Sequence, residues 1–321
     1  MATSDQILLL VKAHYDRDDD GFKSVALQIA AHESKNGHVA VAQKIKDTVM
    51  KQKSDYTFSS FKITADSLIT PSISTYRKSD LIVSDKLNKQ IDNIILEYMQ
   101  RSKLDKNGLT NRRKILLEGV PGTGKTMSAS ILANELKLPL YIVQTDKLIS
   151  KYMGETGTKL RQIFDAIAQE NGVYFFDEFD SIGAERSLGN DVKEIHRVLN
   201  LFLQFIEQDT SDSIIIAATN SGNILDQALF RRFDDVLRFG LPTEKEINEL
   251  FKLKLNKFLK KETINQETIG LAIGLCHADI VKACENAIKY AILHDNKFVL
   301  NSDLKEMLIE RKMVYQSKEI R

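Results

Sequence analysis

The fold is decided by the stretch Gly119-Val120-Pro121-Gly122-Thr123-Gly124-Lys125-Thr126. It fits the P-loop pattern G-x-x-x-x-G-K-[ST] and stands between an apolar segment and a helical one, the context that this motif requires. Its glycines let backbone N–H groups curl around a β-phosphate without a Cβ in the way. Lys125 would reach the β- and γ-phosphates, and the Thr126 hydroxyl would ligate Mg²⁺. We expect nucleotide contacts from Gly119 to Met127.

Apolar segments on both sides of this loop predict a parallel sheet. Strands are expected at 114–118, 140–143, 173–176 and 214–218, and the last two are short unbroken apolar runs typical of strands buried on both faces. Helical segments alternate with these strands as far as about Pro242. This alternation predicts an α/β fold, in which a parallel five-stranded P-loop NTPase sheet is sandwiched by helices.

Two carboxylates follow the predicted strand at 173–176. Asp177 and Glu178 come about fifty residues after the P-loop, where a buried strand would deliver them beside the phosphates. Asp177 is suited to the Mg²⁺ shell, and Glu178 can orient and polarise an attacking water. The spacing to the P-loop makes this pair a candidate hydrolytic site.

The rest of the chain divides by pattern into further segments. Residues 1–51 predict a small helical module, with helices near 4–11, 20–34 and 39–45. Residues 52–79 are rich in Ser, Thr and Lys and predict a linker, and a helix is expected at 85–101. We therefore predict a nucleotide-binding domain over 80–242 and a C-terminal helical lid over 243–321.

Composition narrows the classes of function. The 321 residues are 43% hydrophobic and 28% charged, with a net charge of +1, so the balance does not favour nucleic acid or anionic lipid as a partner. The two cysteines, Cys276 and Cys284, form neither a CxxC pair nor a metal cluster with histidines. No apolar run approaches the length of a bilayer span. We expect a cytoplasmic protein without a membrane anchor.

Several stretches, in this order and spacing, make the chain resemble the AAA ATPases in their narrower sense across roughly residues 80 to 310. They are Lys-Tyr-Met-Gly-Glu at 151–155, Leu-Arg-Gln-Ile-Phe at 160–164, Ala-Ala-Thr-Asn at 217–220, Leu-Asp-Gln-Ala-Leu-Phe-Arg-Arg-Phe-Asp at 225–234 and Gly-Leu-Cys-His-Ala-Asp-Ile at 274–280. The resemblance implies a Mg²⁺-dependent ATPase whose subunits usually form a hexameric ring.

The resemblance also implies roles for individual residues. Asn220 would hydrogen-bond the γ-phosphate or the lytic water. Arg231 and Arg232 would reach the γ-phosphate of a neighbouring subunit, where a guanidinium stabilises the charge of the transition state. The lid helix would contact nucleotide through Ala278 and Asp279. Ile82 would lie at the adenine.

A pore loop is the implied link to a protein client. Lys151, Tyr152 and Met153 match the loop whose aromatic lines the central pore of the ring and grips an extended polypeptide in this family. Tyr152 would do the gripping, and Met153 is a soft contact suited to varied substrates. The predicted function is thus ATP-driven unfolding, remodelling or disassembly of a protein. Residues 1–51 would bind the substrate or a separate partner protein.

Two departures from the family pattern and two other functions stay open. The family usually has glycine where His277 stands, and its two arginines are often separated, whereas Arg231 and Arg232 are adjacent. A nucleic-acid-directed loader is one alternative, since some positive charge gathers at 147, 151, 159 and 161. The other is an assembly switch that binds ATP and seldom hydrolyses it, against which Glu178 argues.

Overall fold

The computed structural model describes residues 8–12, 19–35, 38, 41–46, 68–148, 153–179, 192–220, 230–259 and 264–316. The chain divides into two units, Met1–Lys62 and Ile63–Arg321. In the first unit, helix α1 spans Asp19–Lys35, and residues 8–12 and 41–46 are also helical. Ala26 and Ala30 on α1 are buried. Helix α1 has nearly the predicted bounds of 20–34. The predicted helices at 4–11 and 39–45 are helical over 8–11 and 41–45, and their residues 4–7 and 39–40 lie outside the described residues.

The second unit contains a six-stranded sheet. Its strands are β1 (Ile69–Ser72), β2 (Lys114–Gly119), β3 (Leu140–Val143), β4 (Val173–Phe176), β5 (Ile214–Thr219) and β6 (Asp235–Phe239). The strand order is β1-β3-β4-β5-β2-β6, and all neighbours are parallel except the antiparallel pair β1–β3. The predicted α/β fold with five parallel strands is confirmed, and one antiparallel edge strand is added to it.

The added strand corrects the predicted linker over 52–79. Ile69–Ser72 pairs with β3 along its whole length, from Ile69 opposite Val143 to Ser72 opposite Leu140. Pro71 and the polar neighbours of this segment favour a linker in sequence, but an edge strand tolerates proline because one of its sides makes no ladder hydrogen bonds. Part of the predicted linker is therefore the edge of the sheet.

Helices cover both faces of the sheet. They are α2 (Asp85–Met99), α3 (Arg101–Asp105), α4 (Lys125–Leu136), α5 (Thr145–Leu148), α6 (Met153–Gln169) and α7 (Val192–Gln208). Ile115 and Leu117 point to one face and share a core with α2 and α4, whereas Leu116 packs with residues of α6 and α7 on the other. This alternation is the period of two that a strand imposes on its side chains. The expected helical sandwich is present.

Four α-helices among the described residues follow the sheet. They are α8 (Glu244–Leu255), α9 (Gln266–Ala272), α10 (His277–Leu293) and α11 (Asn301–Gln316). Their apolar faces form a separate core that includes Phe251, Ile280 and Leu308. Ile82 packs against this core, while its neighbours Leu81 and Val83 pack against the core of the sheet. Residues 81–83 therefore lie where the two cores meet. No helix among the described residues is long and apolar enough to cross a bilayer.

Gly119, the last residue of β2, is fixed by strand packing. A Cβ at this position would lie 2.2 Å from the carbonyl oxygen of Phe239, its partner on β6. The carbonyl belongs to the backbone and the position of a Cβ is fixed by the backbone, so neither can swing away. The sequence assigned Gly119 to the phosphate loop alone. The structure adds a requirement at the sheet.

We expect Gly119→Ala to destabilise the protein strongly. Overpacking against a backbone that cannot move should cost about 3 kcal/mol or more. The measurement is the shift of the denaturant midpoint at constant slope. Gly270→Ala is the matched control, because nothing lies within 4 Å of a Cβ there and the residue is in helix α9. The free energy of unfolding of that control should rise by about 0.5–1 kcal/mol. Equal midpoints for Gly119→Ala and the unmodified protein would contradict the packing argument.

Candidate nucleotide site

The carboxyl ends of β2, β4 and β5 converge on one cavity of about 600 Å³. The P-loop residues Pro121 to Met127 line one side of it, and Asp177, Glu178 and Asn220 follow the two neighbouring strands. Ligands of open parallel sheets bind at this edge. The sequence predicted each of these residues as part of the site, and the structure brings them together.

Lys125 lies at the centre of the loop. Its side chain is 7% exposed, and its Nζ donates to the carbonyl oxygens of Gly119 (2.6 Å) and Val120 (3.1 Å) and to Oδ1 of Asn220 (2.8 Å). These bonds hold the ammonium group beside the loop and connect it to the end of β5. Gly119 and Val120 thus act through Lys125 and do not line the cavity themselves. A cation held in this position is suited to phosphate oxygens.

Thr126 and Asp177 form the candidate metal site. The Thr126 hydroxyl donates to Oδ2 of Asp177 at 3.0 Å, so a hydroxyl and a carboxylate meet at the mouth of the loop. Mg²⁺ prefers oxygen ligands and commonly takes only one or two from the protein, with the remainder from water and phosphates. These two oxygen donors fit such an ion. Thr145 supports them, since its hydroxyl donates to the backbone carbonyl of Asp177 at 3.0 Å.

Glu178 is presented by a sharp turn after β4. Its backbone is in the left-handed region at φ +47°, which is uncommon for a residue with a side chain. Its N–H donates to Oδ1 of Asp177 at 2.9 Å, and its side chain is exposed. The strand therefore ends at Phe176 and the backbone turns at Glu178, so both carboxylates lie at the edge of the sheet. Glu178 faces the cavity with its carboxylate available for a water molecule.

The lid touches the P-loop directly. The N–H of Ala278 donates to the carbonyl oxygen of Gly122 at 2.9 Å. A Cβ on Gly122 would lie 2.6 Å from Sγ of Cys276, and Gly122 has φ +78°, so a larger residue is excluded here. Burial raises the pKa of the Cys276 thiol, as does its hydrogen bond to Asp279. The lid and the loop are thus in contact through backbone and thiol.

Not every residue predicted to contact the adenine or to reach the nucleotide from the lid lines the cavity. Ile82 and Ala278 do, but Asp279 does not, because its carboxylate accepts the hydrogen bond from the Cys276 thiol at 2.9 Å. Sequence reasoning missed Leu250, Val281 and Lys282, which also line it. The helical spacing from 278 to 281, 282 and 285 places these positions on one face of α10. That spacing could have indicated Val281 and Lys282, whereas Leu250 lies on α8 and has no such signal.

Arg231 and Arg232 lie outside this cavity, on an exposed turn. Phe233 beside them is buried and Phe230 is partly buried, and both pack into the core of the sheet. The guanidinium of Arg232 forms an ion pair with Glu207 on α7. Lys151 and Tyr152 lie outside the described residues. The backbone of Met153 begins α6.

Burial lowers the pKa of His277, the first residue of α10, and the opposing influences of the Glu246 carboxylate and the Ile82 backbone do not outweigh it. The unfolded chain, with an ordinary value near 6.5, therefore binds more protons than the folded one just below that pH. Stability must rise with pH across this window.

We expect the free energy of unfolding to fall as pH is lowered from 7.5 to 5.5. The contribution of His277 has a slope of at most about 1.4 kcal/mol per pH unit. Denaturant titrations at several pH values would measure it, with His277→Gln as the comparison, because glutamine cannot titrate. Parallel curves for the two proteins would mean that His277 does not contribute.

The chain is similar to known ATPases. The model of the family described as "ATPase family associated with various cellular activities (AAA)" matches residues 115–241. An "Uncharacterized AAA family ATPase" of Sinorhizobium fredii is 32% identical over 312 residues, which are 94% of this chain and 94% of that relative.

Two further relatives have names that refer to the proteasome. A "Proteasome-activating nucleotidase" of Methanococcus vannielii is 31% identical over 73% of this chain and 60% of its own length. A "Probable 26S proteasome regulatory subunit 10B" of Caenorhabditis elegans is 35% identical over 61% of this chain and 50% of its own length. The chain thus spans nearly all of the first relative and roughly half of the others. On the strength of the domain match and the full-length relative, this chain belongs to the AAA family of ATPases.

Proposed function

We propose that this ATPase assembles into a homo-hexameric ring that unfolds, remodels or disassembles a protein client. ATP hydrolysis would drive the work, and residues 1–51 would recruit the client or a separate partner protein. The names of the proteasome-related relatives support a protein as the client. The net charge of +1 gives no support to nucleic acid.

One observation supports assembly into a ring. Among the described residues that line the nucleotide cavity, none is an arginine. Phosphoryl transfer to water is accelerated when an arginine neutralises the charge that spreads over the transferred group, and a second subunit can supply it. Arg231 and Arg232 are exposed on a turn that Phe230 and Phe233 fix to the core. Their exposure supports the proposal that they act in the site of a neighbouring subunit.

The two arginines differ in their surroundings. Arg232 pairs with Glu207 of its own chain, whereas Arg231 makes no ion pair with any described residue. Entering a neighbouring site would cost Arg232 this partner, although an exposed pair contributes little energy. We therefore assign the main finger to Arg231 and a supporting position to Arg232.

The remaining catalytic roles are proposed for residues at or beside the cavity. Lys125 would hold the β- and γ-phosphates, Glu178 would orient the lytic water, and Asn220 would bind the γ-phosphate or that water. Thr126 and Asp177 would hold Mg²⁺. When bound, the ion would offset the negative charge of the phosphates.

The pore loop would connect hydrolysis to the client. Tyr152 would grip an extended polypeptide, with Lys151 and Met153 beside it. Support comes from helix α6, which begins at Met153 and packs through Leu160 and Ile163 against the same core as β4. Strand β4 leads directly to Asp177 and Glu178, so a change at the phosphates has a short packed route to the loop.

The first test is the mass in solution of the Glu178→Gln variant, with and without Mg·ATP. Blocking hydrolysis should trap the ATP state, and a shift to a hexamer on adding ATP is expected. A mass that stays monomeric with bound ATP would overturn the autonomous ring.

Mixing two inactive variants tests whether the arginine acts across subunits. Arg231→Ala keeps an intact cavity, and Glu178→Gln keeps an intact arginine. In mixed rings the cavity of the first can meet the arginine of the second, so up to roughly a quarter of the wild-type turnover should return in an equal mixture. No recovery in mixtures shown to form joint rings would contradict a finger in trans.

Stimulation of the ATPase by an unfolded polypeptide such as casein tests the client. Tyr152→Ala should abolish the stimulation and Tyr152→Phe should retain it, while basal turnover stays the same in both. Stimulation by single-stranded DNA and not by casein would favour the loader alternative instead.

A further inference from the structure

His277 forms a wall between the nucleotide cavity and a second, smaller cavity. It is the first residue of α10 and lines both spaces. The smaller cavity measures about 130 Å³ and is lined on its far side by Thr243, Glu246 and Arg238. Thr123 of the P-loop lines both cavities as well. The imidazole therefore lies near the P-loop and lines the nucleotide cavity.

Both ring nitrogens of His277 are shielded from solvent. Neither makes a hydrogen bond of ordinary geometry with a described residue, although the Ile82 backbone lies close enough to influence the ring. Such groups are rare in native proteins, because burial without a partner is costly. The ring is also neutral at physiological pH, since burial lowers its pKa. A neutral imidazole offers one donor and one acceptor. His277 thus carries unused hydrogen-bonding capacity at the edge of a ligand cavity.

Both polar and apolar side chains line the nucleotide cavity. The P-loop residues, Lys125 and Asp177 take the phosphates, so the sugar and base must extend the other way. Side chains suited to an aromatic base line that other part; they are Leu81, Ile82, Met127, Leu250 and Val281. His277 and Ala278 adjoin this part at the start of α10. The nucleoside is therefore the part of the ligand that comes closest to the imidazole.

We propose that His277 recognises the nucleoside of the bound nucleotide through a hydrogen bond from its ring to the base or the ribose. Because the ring already lines the cavity, rotation about its broad χ2 torsion turns a nitrogen toward the ligand without moving the helix. A buried polar group that pairs with the correct ligand discriminates against analogues that leave it unpaired. His277 is then a specificity-determining residue, at a position where the family usually has glycine.

The proposal requires that nucleotide binds in this cavity and is independent of the ring and of the client. Calorimetry on the full chain at pH 7.5 compares ADP with inorganic tripolyphosphate, which has no nucleoside. His277→Phe keeps a ring of similar shape without hydrogen-bonding atoms. We expect it to bind ADP about tenfold more weakly and tripolyphosphate equally well. His294→Phe, an exposed histidine beyond the other end of α10, is the matched control and should change neither.

The variant His277→Gln distinguishes loss of the hydrogen bond from a folding defect in His277→Phe. Glutamine retains a donor and an acceptor, so ADP affinity should stay within about threefold of wild type. Equal ADP affinity in wild type and His277→Phe would overturn the proposal, and so would an equal loss for ADP and tripolyphosphate, which indicates a structural role. Failure of the wild-type chain to bind ADP would instead overturn the assignment of the cavity.

Two ADP analogues identify the partner group. The first, 2′-deoxy-ADP, lacks a ribose hydroxyl, and the second, inosine diphosphate, lacks the exocyclic amine of adenine. The analogue that lacks the recognised group should bind the wild-type protein more weakly than ADP does. His277→Phe should bind that analogue and ADP equally well. If the variant discriminates against both analogues as strongly as wild type does, His277 does not read the nucleoside.

Discussion

Replacing Lys125 by alanine is expected to abolish ATP hydrolysis and to weaken nucleotide binding by at least about a hundredfold. The ammonium group would make charge-assisted hydrogen bonds to two phosphate groups, each worth about 1.5–3 kcal/mol. Lys125 also donates to two loop carbonyls and to Asn220. Alanine therefore removes the cation and the donor that connects the loop to β5.

Fluorescent ADP binding and steady-state phosphate release would measure the two effects. Lys289→Ala is a suitable control, since this exposed lysine lies on α10 and does not line the cavity. It should leave both measurements unchanged. Near-normal ADP affinity in a folded Lys125→Ala protein would mean that the loop binds phosphate without the cation, contrary to the geometry described above.

The sheet was predictable to the extent that its strands are locally apolar. Predicted strands at 140–143 and 173–176 have the observed bounds, and those beginning at 114 and 214 end one residue early. Central parallel strands reveal themselves because both faces are buried. Strand β1 contains Pro71 and polar residues, and β6 contains Asp235 and Arg238, so neither gives a continuous apolar run. Their pairing is decided by tertiary contacts.

The nucleotide site was predictable where residue type and spacing carry the chemistry. The P-loop, Asp177, Glu178 and Asn220 come from different strands, and the topology alone brings them to one edge. Thr145 and the contact between Gly119 and Phe239 were not predictable, because they depend on which strands become neighbours. The Asp279 carboxylate points toward Cys276 at the start of the helix, and the sequence pattern does not predict this orientation.

Replacing Glu178 by glutamine is expected to separate hydrolysis from binding. Glutamine has nearly the same shape but cannot accept a proton from water, so kcat should fall by about 10²- to 10⁴-fold. Affinity for ATP should stay within about threefold, because Glu178 lies on a turn after β4 and makes none of the Lys125 or Thr126 contacts. Single-turnover hydrolysis and equilibrium binding of ATP would measure the two quantities.

Asp177→Asn is the informative comparison, since the two carboxylates are adjacent but differ in their contacts. Asp177 accepts from Thr126 and is the candidate metal ligand, so its amide variant should need a higher Mg²⁺ concentration for ATP binding. Glu178→Gln should keep the Mg²⁺ dependence of wild type. Glu249→Gln, on the exposed face of α8, should alter neither property. If Glu178→Gln instead shifted the Mg²⁺ requirement and left single-turnover hydrolysis intact, the roles of the two carboxylates would have to be exchanged.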